Sequence, residues 1–478
     1  MAIYKLFPEK DATLYTQNRT MNTGLDEILE ASTYLLDDAA QTSRYLVKFS
    51  QNELNGAYDN YISGSGISYL NGNIASAINQ SITDQFLPST VYSSLPITSS
   101  TSDGIGAMVS TSVDSGGSIT SITINNRGKN YKIGDIVTIG GLLSSSGALT
   151  TASLTLIGTN FIERPWSSNF RNSAAVVTNL GSTSYLKVYP VSQSWDMGTG
   201  RFGNSPITTN GCSWVDSIEG KEWTNGITYN TLTTASFNSA YGGRGGGTWY
   251  TGSTTGKNIV QTQTFTYANS IDLNVDTTNT VAIWVSQSKG IIGGDIPNEG
   301  FIVKQTSSIE FIPSQSQAST FKYYSVDTNT IYPPQLEIRF DDFYYGTSSQ
   351  MTTLKQSEAF ISTYNNDGIY FSESVQRFRI AAIPQYPKKI FQTASGYLTN
   401  YYLPKDSYYS IKDSETNEYV IEFNNTYTHI SADTTSSYFD IYMGGLEPER
   451  YYTILLKTTI DGTTKVFDED IMFKVTNG

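Results

Sequence analysis

The sequence predicts an all-β protein built of several sandwich domains, and three observations carry that expectation. Short runs alternate apolar with polar residues, Gly-, Asn- and Ser-rich turns separate them, and the clearest helical periodicity is confined to one segment. Successive strand side chains point to opposite faces, so a period of two marks half-buried strands. Composition agrees: 34 tyrosines, 40 glycines and 13% aromatic residues beside only 15% charged ones suit pleated surfaces joined by tight turns. A disordered chain would be rich in charge and poor in aromatics. At 478 residues the chain exceeds one ordinary sandwich, which predicts two or three domains.

The elements follow in order. Residues 11–15 form a short extended run, 18–24 are turn-rich, and 28–31 and 43–49 are strands; in the last, Tyr45, Val47 and Phe49 alternate with Leu46 and Lys48. That alternation predicts a half-buried strand. From 57 to 160 small residues dominate, as in 63–66 and 99–102, and the stretch reads as an insertion. Within it Ile74, Ile78, Ile82 and Phe86 recur every four residues between a capping Asn73 and a terminating Pro88, which predicts one helix. Strands at 118–124 and 135–139 follow, with a turn-permitting 125–131 between them.

Strand patterning resumes at 174–177 and 185–191, a long loop occupies 192–256, and further strands are expected at 281–285 and 335–340. In the last module, strands at 378–380, 419–423, 439–443, 452–457 and 471–475 carry the spacing of an immunoglobulin-like sandwich. The predicted domains are therefore 1–56 together with 161–342, an inserted 57–160, and 343–478.

Charge and rare residues exclude several functions. A net charge of −13 repels phosphate backbones and anionic membranes, so neither nucleic acid nor membrane is an expected partner. No apolar run approaches the ~18 residues of a membrane span. The first eight residues do not read as a signal peptide, which predicts synthesis and folding in a cytoplasm. One cysteine, Cys212, excludes an intramolecular disulfide, and one histidine, His429, leaves triads and histidine metal sites short of partners. The acidic clusters Asp37-Asp38, Asp341-Asp342 and Asp468-Glu469-Asp470 sit at strand ends or turns, where Asp favours turn hydrogen bonds.

No catalytic residue and no cofactor are expected. A structural calcium ion on a loop is the one metal considered, and no spacing matches an EF-hand. The run from Gly242 to Gly247 lacks a Walker ending and reads as a surface loop. The candidate binding residues are Trp195, Trp214, Trp223, Trp249 and Tyr250. Aromatics at such positions pack a core, anchor a protein interface or stack a sugar.

Several segments together resemble a family. The run Asp11-Ala12-Thr13-Leu14-Tyr15, followed by Arg44, Leu46, Lys48 and Phe49, is similar to the opening of the DNRLRE-type β-sandwich. Segments 189–195, 211–214, 304–311 and 325–340 are similar to its later strands. The resemblance spans about half the chain and implies a jelly-roll-like, carbohydrate-binding type of module. The 57–160 insertion, with Arg127-Gly128-Lys129-Asn130-Tyr131, resembles a β-motif of phage tail and fibre proteins. Residues 195–202 resemble structural proteins of cyanophage-like tailed myoviruses.

Together these imply a jelly-roll-like sandwich interrupted by a β-rich insertion with one helix and followed by an immunoglobulin-like sandwich. The implied function is that of a virion structural protein in the tail, baseplate, neck or fibre attachment. It would not be an enzyme, and its partners would be other virion proteins and copies of itself. The alternative is a carbohydrate-binding, receptor-binding module for host glycans, with a shallow groove lined by Trp195, Trp214, Trp223 or Trp249. A third reading, an unusual glycosidase, needs two acids facing each other at about 5–9.5 Å.

Overall fold

The computed structural model describes residues 2–36, 39–62, 69–70, 74, 86–101, 104–129, 131–132, 134–157, 160–162, 165–181, 183–223, 233–238, 243–254, 257–290, 292, 296–310, 319–347, 351–372, 374–386 and 400–477. Strands dominate them, and the protein is all-β. The chain divides into two compact units, one made of Tyr4–Gly56 and Ser167–Ile338, the other of Met1–Ile3, Ala57–Trp166 and Arg339–Gly478.

The first unit is a sandwich. Its large sheet runs Ala174–Thr178, Thr320–Tyr324, Ile28–Leu36, Ala39–Phe49, Phe301–Gln305, Ser184–Pro190 and Gln261–Phe265, with Pro8–Tyr15 also paired to Ala39–Phe49. A four-stranded sheet holds Ala2–Leu6, Gln335–Phe340, Trp166–Asn172 and Leu273–Asp276. Alternation sorts the side chains of the large sheet between its faces. On one face Phe49 meets Phe170 at 5.9 Å, Phe170 stacks on Phe301 at 5.4 Å, and Tyr45 meets Tyr323 at 5.8 Å. On the other, Ala12, Leu14, Leu46 and Ile302 share a core with Trp195, Trp214, Trp223 and Trp249.

The strand 43–49, expected to be half-buried, is therefore covered on both faces: Tyr45, Leu46, Val47 and Phe49 are all inaccessible. A central strand between two layers has no solvent side.

The run 281–285, expected as a strand, lies in an α-helix, Thr278–Ser288. A five-residue apolar run has no period of its own, and its flanks decide. Asp276 Oδ1 accepts the Thr278 N–H at 2.9 Å, and the Thr277 carbonyl accepts the Val281 N–H at 3.0 Å, closing the first turn. Val281, Trp284 and Val285 then share one face at helical spacing, and Trp284 packs on Phe301 at 4.8 Å. A short helix, Gln51–Ala57, also went unsignalled; its Asn and Gly residues are weak helix formers.

The second unit holds two separate apolar cores. In the insertion, an antiparallel sheet runs Leu149–Thr155, Ile136–Leu143, Val91–Ser99, Ile105–Val113, Ile119–Lys129 over a core that includes Val109, Ile122, Val137, Ile139 and Leu154. The strand Ile119–Lys129 continues through most of the expected 125–131 turn. Of the expected helix, 75–85 lies outside the described residues; Ile74 and Phe86 at its ends are buried in this core.

The C-terminal part is a sandwich of two sheets. One runs Ala359–Thr363, Val375–Pro384, Ser437–Tyr442, Ser431–Ala432; the other runs Ile369–Phe371, Thr463–Thr476, Arg450–Ile460, Ser407–Asp413, Tyr419–Ile421. Phe378, Ile380, Phe439 and Ile441 from the first face Tyr409, Ile411, Tyr452, Ile454 and Phe473 from the second in one core. Alternating with Phe378 and Ile380, Arg377 and Arg379 turn to the other face and pair with Asp440 and Asp433 at 2.8 Å each. Among the described residues no helix is long and apolar enough to cross a membrane.

Candidate functional site

The five aromatics expected to form a binding face lie inside the first unit. Trp195, Trp214, Trp223, Trp249 and Tyr250 are only 1, 3, 1, 4 and 1% exposed. Leu14, Leu46 and Ile302 make the second face of the large sheet apolar, and the segment after Pro190 covers it with indoles. Each ring buries ~150–250 Å², which is why four suffice as a layer. Trp195 Nε1 donates to the Glu299 carbonyl and Trp223 Nε1 to the Ser213 carbonyl, both at 2.9 Å. A glycan-binding groove made of these side chains has no open ring to stack on, which corrects that expectation.

A charge cluster lies in the same layer. Arg44 Nε and Nη2 donate to the two carboxylate oxygens of Glu310 at 2.8 and 2.9 Å, and Lys304 Nζ lies 2.7 Å from Glu310 Oε2. All three side chains are at most 1% exposed. The Arg44 guanidinium sits 4.8 Å from the Trp214 ring centre and 5.3 Å from that of Trp249, and the Lys304 ammonium 5.6 Å from the latter. Burial lowers the Lys304 pKa to about 8, against the opposing pull of Glu310. Burial alone would raise Glu310, but Arg44 and Lys304 outweigh it and hold its carboxyl below the usual range. A bidentate, neutralised carboxylate holds a fold together.

Sequence reasoning missed this cluster. The available signal was parity: Arg44 is two residues from Leu46 and Lys304 two from Ile302, so both cations point into the layer those residues occupy.

The glycine run belongs to the same structure. The part expected as a surface loop is the strand Gly243–Tyr250, and Gly245, Gly246 and Gly247 are buried with φ of +136°, +78° and +89°; Gly242 lies outside the described residues. A Cβ on Gly246 would stand 2.7 Å from the Arg44 guanidinium and 2.7 Å from the Trp214 ring. Its carbonyl accepts from Arg44 Nη1 at 2.7 Å. Gly246→Ala is expected to destabilise this unit by about 2–4 kcal/mol, combining positive-φ strain with overpacking. A urea melt followed by tryptophan fluorescence measures it.

The other candidates have quiet environments. The His429 ring lies between Phe343 at 4.6 Å and Tyr408 at 4.7 Å, and burial lowers its pKa, with Asp341 opposing. Cys212 is buried, which pushes its thiol up to about 12. Asp341 Oδ1 accepts the Phe343 N–H at 2.9 Å, a turn bond of the expected kind. Asp468, Glu469 and Asp470 are exposed, and Asp37-Asp38 lies outside the described residues. Among the described residues no group of three or more His, Cys, Asp or Glu side chains is arranged to hold a metal.

Several exposed apolar side chains lie on the outer face of the five-stranded C-terminal sheet. Ile369, Phe371, Tyr451, Met472 and Tyr419 are 63, 62, 51, 48 and 46% exposed. Pairing places them side by side: Ile369 opposes Lys474, which opposes Tyr451, and Met472 opposes Thr453, which opposes Lys412 near Tyr419. Lys412 Nζ lies 4.6 Å from the Tyr419 ring centre and Lys457 Nζ 5.2 Å from that of Tyr408. Ile369–Phe371 stands at the end of the strand order. Exposed apolar and aromatic side chains gathered on one sheet face, here interleaved with Lys474, Thr453 and Lys412, mark interaction sites on folded proteins.

Fold and surface define an all-β sandwich protein with a buried indole–ion layer and a tyrosine-rich outer sheet face. No family model matches the chain, and no curated protein matches it. Among solved structures it is similar to the adhesin domain of Epf from Streptococcus pyogenes, at 8% identity over 86% of this chain and 97% of that one, with a TM-score of 0.15. A likeness at that level carries no argument about this chain.

Proposed function

We propose that the chain is a structural protein of a tailed-phage particle, in the tail, baseplate, neck or fibre attachment, working by protein–protein assembly. The observation that supports this most is the outer sheet face of Ile369, Phe371, Tyr451, Met472 and Tyr419, apolar and aromatic with lysines among the rings. Such a face is what assembly interfaces bury, because rigid aromatic rings desolvate large areas at small entropic cost. The resemblance of the insertion to phage tail motifs, and of the first sandwich to the DNRLRE type reused as scaffold, supports the same reading. A net charge of −13 keeps free chains soluble before they meet a partner.

The test is incorporation. Mass spectrometry of purified particles of the phage encoding this chain is expected to find it, and its absence would sink the proposal. Phe371→Asp with Tyr451→Asp is expected to leave thermal unfolding unchanged and to exclude the chain from particles. Normal incorporation of that variant would remove this face from the assembly.

A further inference from the structure

Charges of both signs stand unpaired on the outer face of the five-stranded C-terminal sheet. Ile411 and Leu456 point into the core, so alternation turns their neighbours Lys412 and Lys457 outward. Phe467 and Ile471 also point inward, which turns Asp468 and Asp470 to the same outer face. Asp468, Glu469 and Asp470 are all exposed. Lys412 Nζ lies 4.6 Å from the Tyr419 ring centre, and Lys457 Nζ 4.8 Å from that of Phe423 and 5.2 Å from that of Tyr408. In the same sheet Lys474 pairs with Glu449 and Arg450 with Asp413. Lys412, Lys457 and the three acids have no such partner among the described residues.

The pairing register places these charges relative to one another. Arg450–Ile460 is the central strand of the five. Its Ile454 opposes Ile471 and its Leu456 opposes Phe467, so the single Leu455 stands opposite all three acids, which bulge. On its other side Leu455 opposes Ser410, and Lys412 opposes Thr453. Lys412 is thus two residues from the level of the bulge in one direction along the strands, and Lys457 two residues from it in the other. The acids lie to one side of the central strand, Lys412 to the other, and Lys457 on the strand itself.

We infer that this face binds a second copy of the chain about a twofold axis. The inference rests on the assembly reading of the face and names its partner. An axis parallel to the central strand, midway between two facing sheets, exchanges the sides of the sheet and keeps height along the strands. It lays Thr463–Thr476 of each copy over Ser407–Asp413 of the other, and each acidic bulge comes down between Lys412 and Lys457 of the opposite copy. An isologous contact requires this kind of self-complementarity. An acidic partner of another kind would satisfy the lysines and leave three acids facing it, and a basic one would do the reverse. Val466, Met472 and Tyr451, 49, 48 and 51% exposed, supply the apolar contact near the axis. Strands about 4.8 Å apart and up to 14 residues long make a face of roughly 600 Å², close to the ~800 Å² each partner buries in a stable complex.

The test is sedimentation velocity of the full chain across a concentration series. Wild type is expected to dimerise, and more weakly as salt rises and screens the charges. Lys412→Glu with Lys457→Glu is expected to weaken the dimer about 100-fold, by setting like charges face to face. Asp468→Lys with Glu469→Lys is expected to do the same, and it leaves Asp470, with its φ of +51°, unchanged. All four positions lie on the surface of the sheet, so each variant is expected to keep the wild-type thermal unfolding. Mixed in equal amounts, the two variants are expected to form a heterodimer of near wild-type strength, since each contact again joins opposite signs. A wild-type chain still monomeric at about 100 µM overturns the inference. So do variants that dimerise like wild type, or that stay folded and fail to recover on mixing. A monomeric chain that is found in particles removes the second copy and leaves the assembly reading standing; a dimeric chain absent from particles does the opposite.

Discussion

Glu310→Gln is expected to destabilise the tryptophan-rich unit by about 3–5 kcal/mol. Glu310 pairs with two cations, Arg44 and Lys304, whose side chains are each 1% exposed. Glutamine retains the shape and one acceptor but leaves two buried positive charges uncompensated. The measurement is a denaturant melt followed by tryptophan fluorescence, since Trp214 and Trp249 border the cluster and Trp195 and Trp223 share the same core.

The pH dependence gives the loss a signature. Burial lowers Lys304 to about 8 from 10.5, so the unfolded state binds more protons between those values, and stability rises with pH across that window. Without Glu310 the Lys304 pKa falls further, and the window opens at lower pH. The variant is therefore expected to recover part of its loss between about pH 7 and pH 9, more than wild type gains over the same range. A triple replacement of Arg44, Lys304 and Glu310 by methionine is expected to be less damaging than Glu310→Gln, because no unpaired charge remains. If the single variant melts like wild type, the cluster does not hold this layer together.

Trp249→Ala is expected to cost a further measurable amount on its own, about 3–5 kcal/mol. Its ring lies 5.7 Å from Tyr189 and within cation–π range of Arg44 and Lys304, so truncation opens a cavity and removes the wall against both cations. Because Trp249 and the ion cluster are in contact, the two losses are not additive, and a double-mutant cycle with Glu310→Gln is expected to show coupling of about 0.5–3 kcal/mol. Phe371→Ala, on the exposed sheet face, should change stability by no more than about 0.5 kcal/mol. The opposite pattern, with Trp249→Ala silent in unfolding but active in a glycan array, would return these indoles to the surface and revive the glycan-binding reading.

Strand positions were readable because alternation is a local property of the chain. Residues 11–15, 28–31, 335–340 and the C-terminal runs at 378–380, 452–457 and 471–475 all fall within strands, as does 439–443 up to Tyr442. The exceptions share one cause. The run 281–285 carries no period, and its state was decided by a turn closed at Thr277 and by the contact of Trp284 with Phe301. The glycine run looked like a loop because its reason for being glycine, the approach of Gly246 to Arg44 and Trp214, lies some 200 and 30 residues away in the chain respectively. Burial of the candidate aromatics was equally non-local: a tryptophan reads the same in a groove and in a core.

By itself, then, the sequence determined an all-β chain, the place of most strands, and the scarcity of histidine and cysteine chemistry. Each of these depends on residue types or on neighbours two positions apart. Only the tertiary structure decided which strand faces are covered, because that depends on which distant segment lands on them. It turned five expected binding aromatics into a core layer and assembled Arg44, Lys304 and Glu310 into one buried cluster. It also left the exposed aromatic face on the C-terminal sheet, where the expectation had not placed it.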